Sequence, residues 1–155
     1  MEINRKMYWL QAITPLHVGS GKGVGFIDMP IMREKVTNWP MVPGSAVKGV
    51  MRDHFMRKRE AETLEDEKKK WDDRINAAFG KSEDDSGNAN SGSLILTDAR
   101  IVCLPVRSLY GTFAYVTSPL VLERLKRDMA ATGSSSLPST PNPSEREIFL
   151  TGSKL

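Results

Sequence analysis

The spacing of apolar residues along the chain predicts strands in four places, the last beginning with "REIFL" at residues 146–150, and helices in three others. Residues 7–14, 94–104 and 111–116 are rich in aromatic and β-branched side chains, which predicts strands. Between residues 45 and 80 the apolar positions recur every three or four residues, which predicts two helices, the second with Trp71, Ile75 and Phe79 as packing residues rather than a base-stacking platform. A further helix is predicted over residues 118–131, because a serine suited to the N-cap is followed directly by a proline.

The first predicted helix has two distinct edges. It begins at Ser45, a residue type that often caps helices. Its buried stripe is predicted to contain Val47, Val50, Met51, His54 and Phe55. Ser45, Lys48 and Arg52 project together on another edge. Because a helix N-terminus favours anions, this edge could bind phosphate, although a solvated polar face explains the same pattern.

The order of elements predicts the fold class. Strand, helix, helix, strand, strand, helix and strand fit an α+β, RRM-like or ferredoxin-like β-α-β-β-α-β plan, an antiparallel sheet with helices on one face and inserted segments. We expect a single domain over residues 1–155, with an insertion at 61–92 and a flexible Ser/Pro linker at 132–145.

Composition excludes several classes of protein. The chain has 155 residues, 39% of them hydrophobic, and a single cysteine, Cys103, so an internal disulfide is impossible. One cysteine and two separated histidines argue against a zinc site. Because no segment resembles a signal peptide or a membrane span, we expect a cytoplasmic protein.

Charge is distributed unevenly. Residues 1–60 carry ten Lys and Arg against five Asp and Glu, whereas residues 61–92 carry five against nine. The basic first part suits a polyanionic partner, and scattered solvated charge is the alternative.

The segment "TPLHVGSGKGVGFIDMPIMRE", residues 14–34, places a glycine at every second position from 19 to 25 and then a single acid, Asp28. Neither the dinucleotide-binding fingerprint nor a Walker motif fits this spacing. The glycines therefore predict either a tight structural connection or a backbone surface that approaches a phosphate-bearing ligand.

Three pieces of sequence together resemble the N-terminal region of the RAMP superfamily, the RRM-like subunits of CRISPR effector complexes. They are "TPLHVGSG", "IDMPIMRE" and "PGSAVKGVMR". Residues 96–128 are similar to the repeated backbone subunit of the type III-B (Cmr) complex, and its type III-A (Csm) equivalent is the other candidate. Members of the family are considerably longer, so the resemblance implies the N-terminal portion of such a subunit.

The resemblance implies a function and its partners. Copies of this subunit form a filament along a CRISPR RNA, beside other Cmr subunits, and each copy cleaves complementary target RNA at a displaced nucleotide. The reaction depends on a divalent cation, which we expect to be Mg²⁺. Asp28 matches the catalytic aspartate of the family, as a general base or a metal ligand. A turn carboxylate is the alternative role for Asp28.

Further residues are candidates for the site. His17 is a candidate second catalytic group, although the sequence favours a loop histidine bonded to backbone. Met29 and Met32 are candidates for wedging against bases or for core packing. The predicted RNA contacts are Gly19, Ser20, Gly21, Lys22, Ser45, Lys48, Arg52 and Arg107.

Two other functions are compatible with the sequence. In one, the chain is a non-catalytic, structural RNA-binding subunit of a type III-A-like complex. In the other, the glycine loop belongs to a small protein that binds a free phosphate compound.

Overall fold

Three helices and six short strands make up the regular structure of the part of the chain that the computed structural model describes, residues 4–21, 29–81, 89–109 and 111–133. In chain order they are β1 (Met41–Val42), α1 (Gly44–Glu60), α2 (Glu65–Phe79), β2 (Gly80–Lys81), β3 (Asn90–Ser91), β4 (Ala99–Arg100), β5 (Leu104–Arg107), β6 (Phe113–Val116) and α3 (Pro119–Ala131). The chain divides into a central unit, Ala12–Arg100, and a terminal unit, Met1–Gln11 with Ile101–Leu155.

Helices α1 and α2 form an antiparallel pair in the central unit, joined by residues 61–64. The ring of Phe55 lies 6.1 Å from that of Trp71 and 5.9 Å from that of Phe79, measured between centroids. Ile75 is 3% exposed. The predicted packing role of these α2 residues is therefore confirmed, and the predicted 61–92 insertion carries a helix that packs on α1.

The predicted buried stripe of α1 is wrong at two positions and only half-buried at the other three. Val50 is 71% exposed, and His54 is exposed with its ring edge-on to Phe55. The contacts that α1 makes with α2 include those of Phe55 and Arg59, and Met51 is half-buried. The guanidinium of Arg59 donates to both carboxylate oxygens of Asp72, at 3.1 and 3.0 Å, and extends the contact between the helices.

After α2 the chain turns back through the antiparallel pair β2–β3, in which Gly80 lies opposite Ser91. Residues 92–98, which we call the return segment, then follow. The backbone N–H groups of Ser93 and Leu94 donate to the carbonyls of Ala77 and Ala78 near the end of α2, both at 2.9 Å. The return segment is therefore attached to the C-terminal end of α2 before it reaches α1.

The other end of the return segment determines how α1 begins. The helix starts at Gly44 after an N-cap Pro43 that makes no side-chain cap, so the predicted cap at Ser45 is wrong. The carboxylate of Asp98 accepts the N–H of Gly44 at 2.9 Å and takes the role expected of the serine. Gly44 is buried, and a Cβ there would clash with the Leu96 carbonyl. β4 then pairs with β1, with Met41 opposite Arg100.

The terminal unit contains the antiparallel pair β5–β6 and helix α3. Pro105 lies opposite Tyr115 in this pair. As predicted, Ser118 caps α3, and its hydroxyl accepts the N–H of Val121 at 3.4 Å. Val121 is 7% exposed and is the buried residue of the helix.

The α+β class with antiparallel strand pairing is confirmed, but two predicted strands are wrong in extent. Residues 7–14 form no strand, and within residues 94–104 only β4 and the first residue of β5 are strand. Strand preference needs a pairing partner, and Ile13 is 91% exposed. The first part of residues 94–104 instead forms hydrogen bonds with α1 and α2. Residues 134–145 of the predicted linker and the last predicted strand, at residues 146–150, lie outside the described residues. None of the helices in the described ranges has the length and apolar character needed to cross a membrane.

Two glycines of α1 provide a test of this packing. We expect Gly44→Ala to lower the free energy of unfolding by about 1–3 kcal/mol, because the new methyl group meets the backbone of the return segment. Gly49 faces open space, so Gly49→Ala should raise that free energy by up to about 1 kcal/mol through helix propensity. Urea unfolding of both variants measures the difference. Equal effects of the two substitutions would contradict the packing described for Gly44.

Candidate nucleic-acid interface

Residues 18–20 and 30–32 form a short antiparallel pairing, which we call the glycine hairpin. The N–H of Ser20 donates to the Pro30 carbonyl and the N–H of Met32 donates to the Val18 carbonyl, both at 2.8 Å. These two bonds flank the bridge between Gly19 and Ile31. Lys22 and Asp28 both fall in the part of the sequence between the two arms and lie outside the described residues.

The glycine hairpin is connected to α1 through a ladder of backbone hydrogen bonds. Residue Arg33 bridges to Pro40, and the N–H of Met41 donates to the Met32 carbonyl at 3.1 Å. Met41 belongs to β1, which ends two residues before α1 begins at Gly44. Two strand-to-strand steps, from residues 18–20 to residues 30–33 and from there to residues 40–41, separate the first and last of these segments by roughly 10 Å. The sequence segments that predicted a phosphate-binding surface therefore share one hydrogen-bonded framework.

A tight turn and an ion pair support this ladder. The N–H of Asn38 donates to the Glu34 carbonyl at 2.9 Å and closes the turn, where Asn38 has φ +58°. The Glu34 carboxylate accepts the hydroxyl of Thr37 at 2.6 Å and lies 3.6 Å from the guanidinium of Arg100 in β4. The turn is thereby held against the strand that enters from the return segment.

The two described glycines of the loop differ in what they require. Gly21 has φ +103°, a conformation that favours glycine, and a Cβ there would meet nothing within 4 Å. Gly19 has no such φ, but a Cβ there would lie 2.9 Å from Cε of Met29. The neighbour at Gly19 is thus a side chain of the protein itself, and the predicted approach of the glycines to a phosphate-bearing ligand stays a prediction.

His17 and Ser20 are exposed on the glycine hairpin. Within the described ranges no hydrogen bond involves the imidazole of His17, so the backbone-bonded role considered for it has no support there. Met29 is 48% exposed and Met32 is half-buried. Neither methionine is a core residue, in contrast to one of the two roles considered for them.

The three residues predicted to bind phosphate on one edge of α1 differ in their exposure and in their hydrogen bonds. Ser45 is exposed, and Lys48 is half-buried with its ammonium donating to the Leu94 carbonyl at 2.9 Å. Arg52 is half-buried and has no hydrogen-bond or salt-bridge partner in the part of the chain that the structure describes. Since Asp98 occupies the N–H of Gly44, phosphate contacts at this edge must come largely from the side chains.

Sequence reasoning missed the role of Asp98. It lies 54 residues from its partner Gly44, and no local pattern near residue 98 distinguishes it from an ordinary loop carboxylate. Arg107, the remaining predicted contact, is exposed in β5 of the terminal unit, opposite Phe113. The central-unit residues are brought onto one framework, and Arg107 belongs to a separate unit.

Shifted pKa values in the described residues belong to surface pairs of the helices rather than to this interface. Asp72 raises the pKa of Arg59, Lys68 lowers that of Glu65, and Lys70 lowers that of Glu67. In each case the main cause is the hydrogen bond between the charged partners. Among the described residues, no three His, Cys, Asp or Glu side chains are grouped to hold a metal ion.

Comparison with models of protein families identifies the family of the chain. The model of the RAMP superfamily matches residues 9–151. The chain belongs to the RAMP superfamily. The match includes both the glycine hairpin and α1, the segments that carried the resemblance in the sequence, and the predicted family is confirmed.

Individual RAMP relatives are similar over most of this chain but over only part of their own. The CRISPR system Cmr endoribonuclease Cmr4 of Pyrococcus furiosus is 41% identical over 124 residues, 80% of this chain and 39% of the relative. The CRISPR system Cms endoribonuclease Csm3 of Streptococcus thermophilus is 34% identical over 89 residues, 56% of this chain and 39% of the relative. The predicted preference for the Cmr type over the Csm type agrees with these values.

The fold is shared with a solved RAMP structure. The crystal structure of oligomeric Cmr4 from Pyrococcus furiosus superposes with a TM-score of 0.57 at 34% identity, covering 81% of this chain and 40% of that one. The chain therefore spans about two fifths of the length of the relatives it matches.

Lys48 and Arg52 should differ in their importance for stability. We expect Lys48→Met to lower the free energy of unfolding by about 1 kcal/mol, because the Leu94 carbonyl loses its ammonium donor. Arg52→Met removes a guanidinium without a partner in the described structure and should change that free energy by less than about 0.5 kcal/mol. Chemical denaturation of the two variants tests this. A larger loss for Arg52→Met would mean that its side chain has a structural role.

Proposed function

We propose that this RAMP chain is a CRISPR-RNA-binding backbone subunit of a type III-B effector complex, and that the protein cleaves target RNA paired with that guide. The observation that carries the proposal is the ladder that joins the glycine hairpin to the Lys48 and Arg52 edge of α1. The endoribonuclease activity in the names of its relatives Cmr4 and Csm3 supports it. The predicted cytoplasmic location is part of the proposal.

The partners follow from the same proposal. The guide and target RNAs would bind along the central unit, with further copies of the chain beside it in a filament and other Cmr subunits at its ends. Cmr4 from Pyrococcus furiosus is oligomeric in its crystal structure, which supports self-association. Contacts from Lys48 and Arg52 would go to phosphate and sugar, so they would hold a guide of any sequence.

The chemistry we propose is attack by the RNA on its own backbone. The 2′ oxygen of a displaced nucleotide bonds to the neighbouring phosphorus while the bond from phosphorus to the 5′ oxygen breaks. One proton leaves the 2′-hydroxyl and one is taken up by the departing 5′ oxygen. The reaction needs in-line alignment of these atoms, and a carboxylate such as Asp28 can accept the first proton or bind a cation beside the phosphate.

A divalent cation, Mg²⁺ by the family resemblance, belongs to this proposal. Among the described residues no three His, Cys, Asp or Glu side chains are grouped to bind one, and the ligands we propose are Asp28 and oxygens supplied by RNA. When bound, such a cation would stabilise charge on the phosphate. The geometry of this chain supports two contributions. Its side chains would position the RNA backbone, and the paired arms of the glycine hairpin hold the chain before and after Asp28.

One observation weighs against binding of a free phosphate compound at the start of α1; the glycine loop considered for that function lies largely outside the described residues. A free phosphate compound would be expected to use the N–H groups at the start of α1, and the carboxylate of Asp98 already accepts that of Gly44. A negative charge at this point repels a compact dianion. An extended polynucleotide can instead be held by cationic side chains further along the helix.

Asp28→Ala in the assembled complex tests catalysis. We expect the rate of target cleavage to fall by about 100-fold or more, because the proton acceptor or cation ligand is lost, while target binding stays within twofold. Gel analysis of matched target RNA measures cutting, and a binding assay on the same complex measures affinity. EDTA added to the wild-type complex tests the cation in the same assay.

A carboxylate elsewhere on the chain provides the control for that experiment. Asp53 is exposed on α1 and pairs only with Arg57, at 3.0 Å, among the residues that the structure describes. Asp53→Ala should cut at the wild-type rate. If Asp28→Ala also cuts at the wild-type rate, the subunit is a non-catalytic RNA-binding component and the nuclease assignment is wrong.

Arg52→Ala tests the binding of guide RNA. We expect the affinity to fall by about fivefold for guides of unrelated sequence, and the slope of log affinity against log salt to decrease by about one. Arg57→Ala is the matched control, because Arg57 lies on another side of α1 and is paired with Asp53. Loss of affinity for one guide but not for another would contradict a backbone contact.

A further inference from the structure

The β5–β6 pair of the terminal unit is a two-stranded ribbon whose eight residues are all exposed in the described part of the chain. Because side chains alternate along a strand and Val106 lies opposite Ala114, each residue can be assigned to one of two faces. The first, which we call the aliphatic face, carries Leu104, Val106, Ala114 and Val116. The second, which we call the aromatic face, carries Pro105, Arg107, Phe113 and Tyr115.

The aromatic face presents two rings beside one guanidinium. The rings of Phe113 and Tyr115 lie 5.3 Å apart between centroids, at an angle of 85°, and the two residues are 50% and 63% exposed. Arg107 lies directly opposite Phe113, which places their Cβ atoms about 5 Å apart. The side chain of Arg107 has no hydrogen-bond or salt-bridge partner among the residues that the structure describes. Ring surface and positive charge are therefore both available to a ligand.

The two faces of the ribbon suit different partners. An apolar protein surface can cover the aliphatic face without a penalty. On the aromatic face such a partner would remove water from the guanidinium of Arg107 without supplying a counter-charge, and an unpaired buried charge is costly. Nucleic acid avoids this cost, because its bases stack on aromatic rings and its phosphates pair with arginine. The aromatic face therefore favours a polyanion that carries flat apolar groups.

The charge of the terminal unit favours the same class of ligand. The described residues of this unit contain six Lys and Arg against two Asp and Glu. The two acidic residues are Glu123 and Asp128 in α3, which pair with Lys126 and Arg127 at 3.0 and 3.1 Å. Neither strand of the ribbon contains a carboxylate that would compete with a phosphate for Arg107.

We propose that the aromatic face binds single-stranded RNA, with bases stacked on Phe113 and Tyr115 and a phosphate paired with Arg107. The identity of the polymer rests on the proposed function, and the face itself belongs to a different unit from the α1 edge. A base can lie on a ring only where its own surface is not covered by a neighbouring base, so the nucleotides bound here are unpaired. Since every base has such a surface, this contact adds affinity without reading sequence.

Binding of a labelled oligouridylate of about ten nucleotides to the full chain tests the aromatic face. We expect Tyr115→Val to weaken binding by about fivefold or more, because a stacking surface is lost while a β-branched residue keeps the preference for a strand. Tyr115→Trp should bind within twofold of wild type or more tightly, since it restores a ring. Val116→Thr, on the aliphatic face, is the control and should leave the affinity unchanged. Wild-type affinity of Tyr115→Val overturns the proposal.

Salt dependence of the same binding separates the two kinds of contact. Arg107→Gln should reduce the slope of log affinity against log salt by about 0.7, the value for one phosphate contact with a single strand. Tyr115→Val should lower the affinity without changing that slope. Arg127→Gln is the control for charge, because Arg127 is paired with Asp128, and it should leave the slope unchanged. An unchanged slope for Arg107→Gln refutes the phosphate contact.

Two other results would also overturn the proposal. If Tyr115→Val weakens binding of an RNA duplex as strongly as binding of the single strand, the ring does not stack on unpaired bases. If Tyr115→Val abolishes self-association in sedimentation velocity and leaves RNA affinity unchanged, the aromatic face is an interface between copies of the chain. Failure of the proposed function gives a different pattern, in which Asp28→Ala cuts normally and Arg52→Ala binds guide normally while the effect of Tyr115→Val remains.

Discussion

The central unit depends on the close approach of the return segment to the first residue of α1. Gly44 leaves room for the Leu96 carbonyl, and the Asp98 carboxylate accepts the Gly44 N–H at 2.9 Å. The same segment is bonded to the end of α2 and leads into β4, which pairs with β1. One short piece of chain thus joins both helices to the strand ladder, and the ladder carries the glycine hairpin.

This arrangement limits how the basic edge of α1 would bind RNA under the proposed function. The N-terminus of α1 is partly neutralised by a carboxylate of the protein, so affinity has to come from long cationic side chains. Lys48 is committed in part to the Leu94 carbonyl, whereas Arg52 has no such partner in the described residues. The proposed interface therefore combines one cation that also stabilises the fold with one that is available entirely to a polyanion, and neither can distinguish bases.

Local patterns predicted the elements whose determinants are local. Helix α3 with its Ser118 cap, the packing residues Trp71 and Ile75, and the family itself were accessible from sequence. The predicted strand at residues 7–14 and the cap at Ser45 were wrong because each depends on a distant partner. Asp98 and the Gly19–Met29 contact were missed for the same reason, since the residues involved are separated in the sequence and nothing local identifies their neighbour.

The distance in sequence between Gly44 and Asp98, 54 residues, also orders events during translation. Both α1 and α2 have been synthesised before Asp98 is added to the growing chain, and their connection is only residues 61–64. Until then the first N–H group of α1 has water as its partner. A helix pair that forms before the return segment is in place consequently relies on Phe55, Trp71 and Ile75, and the return segment then attaches the strands to it.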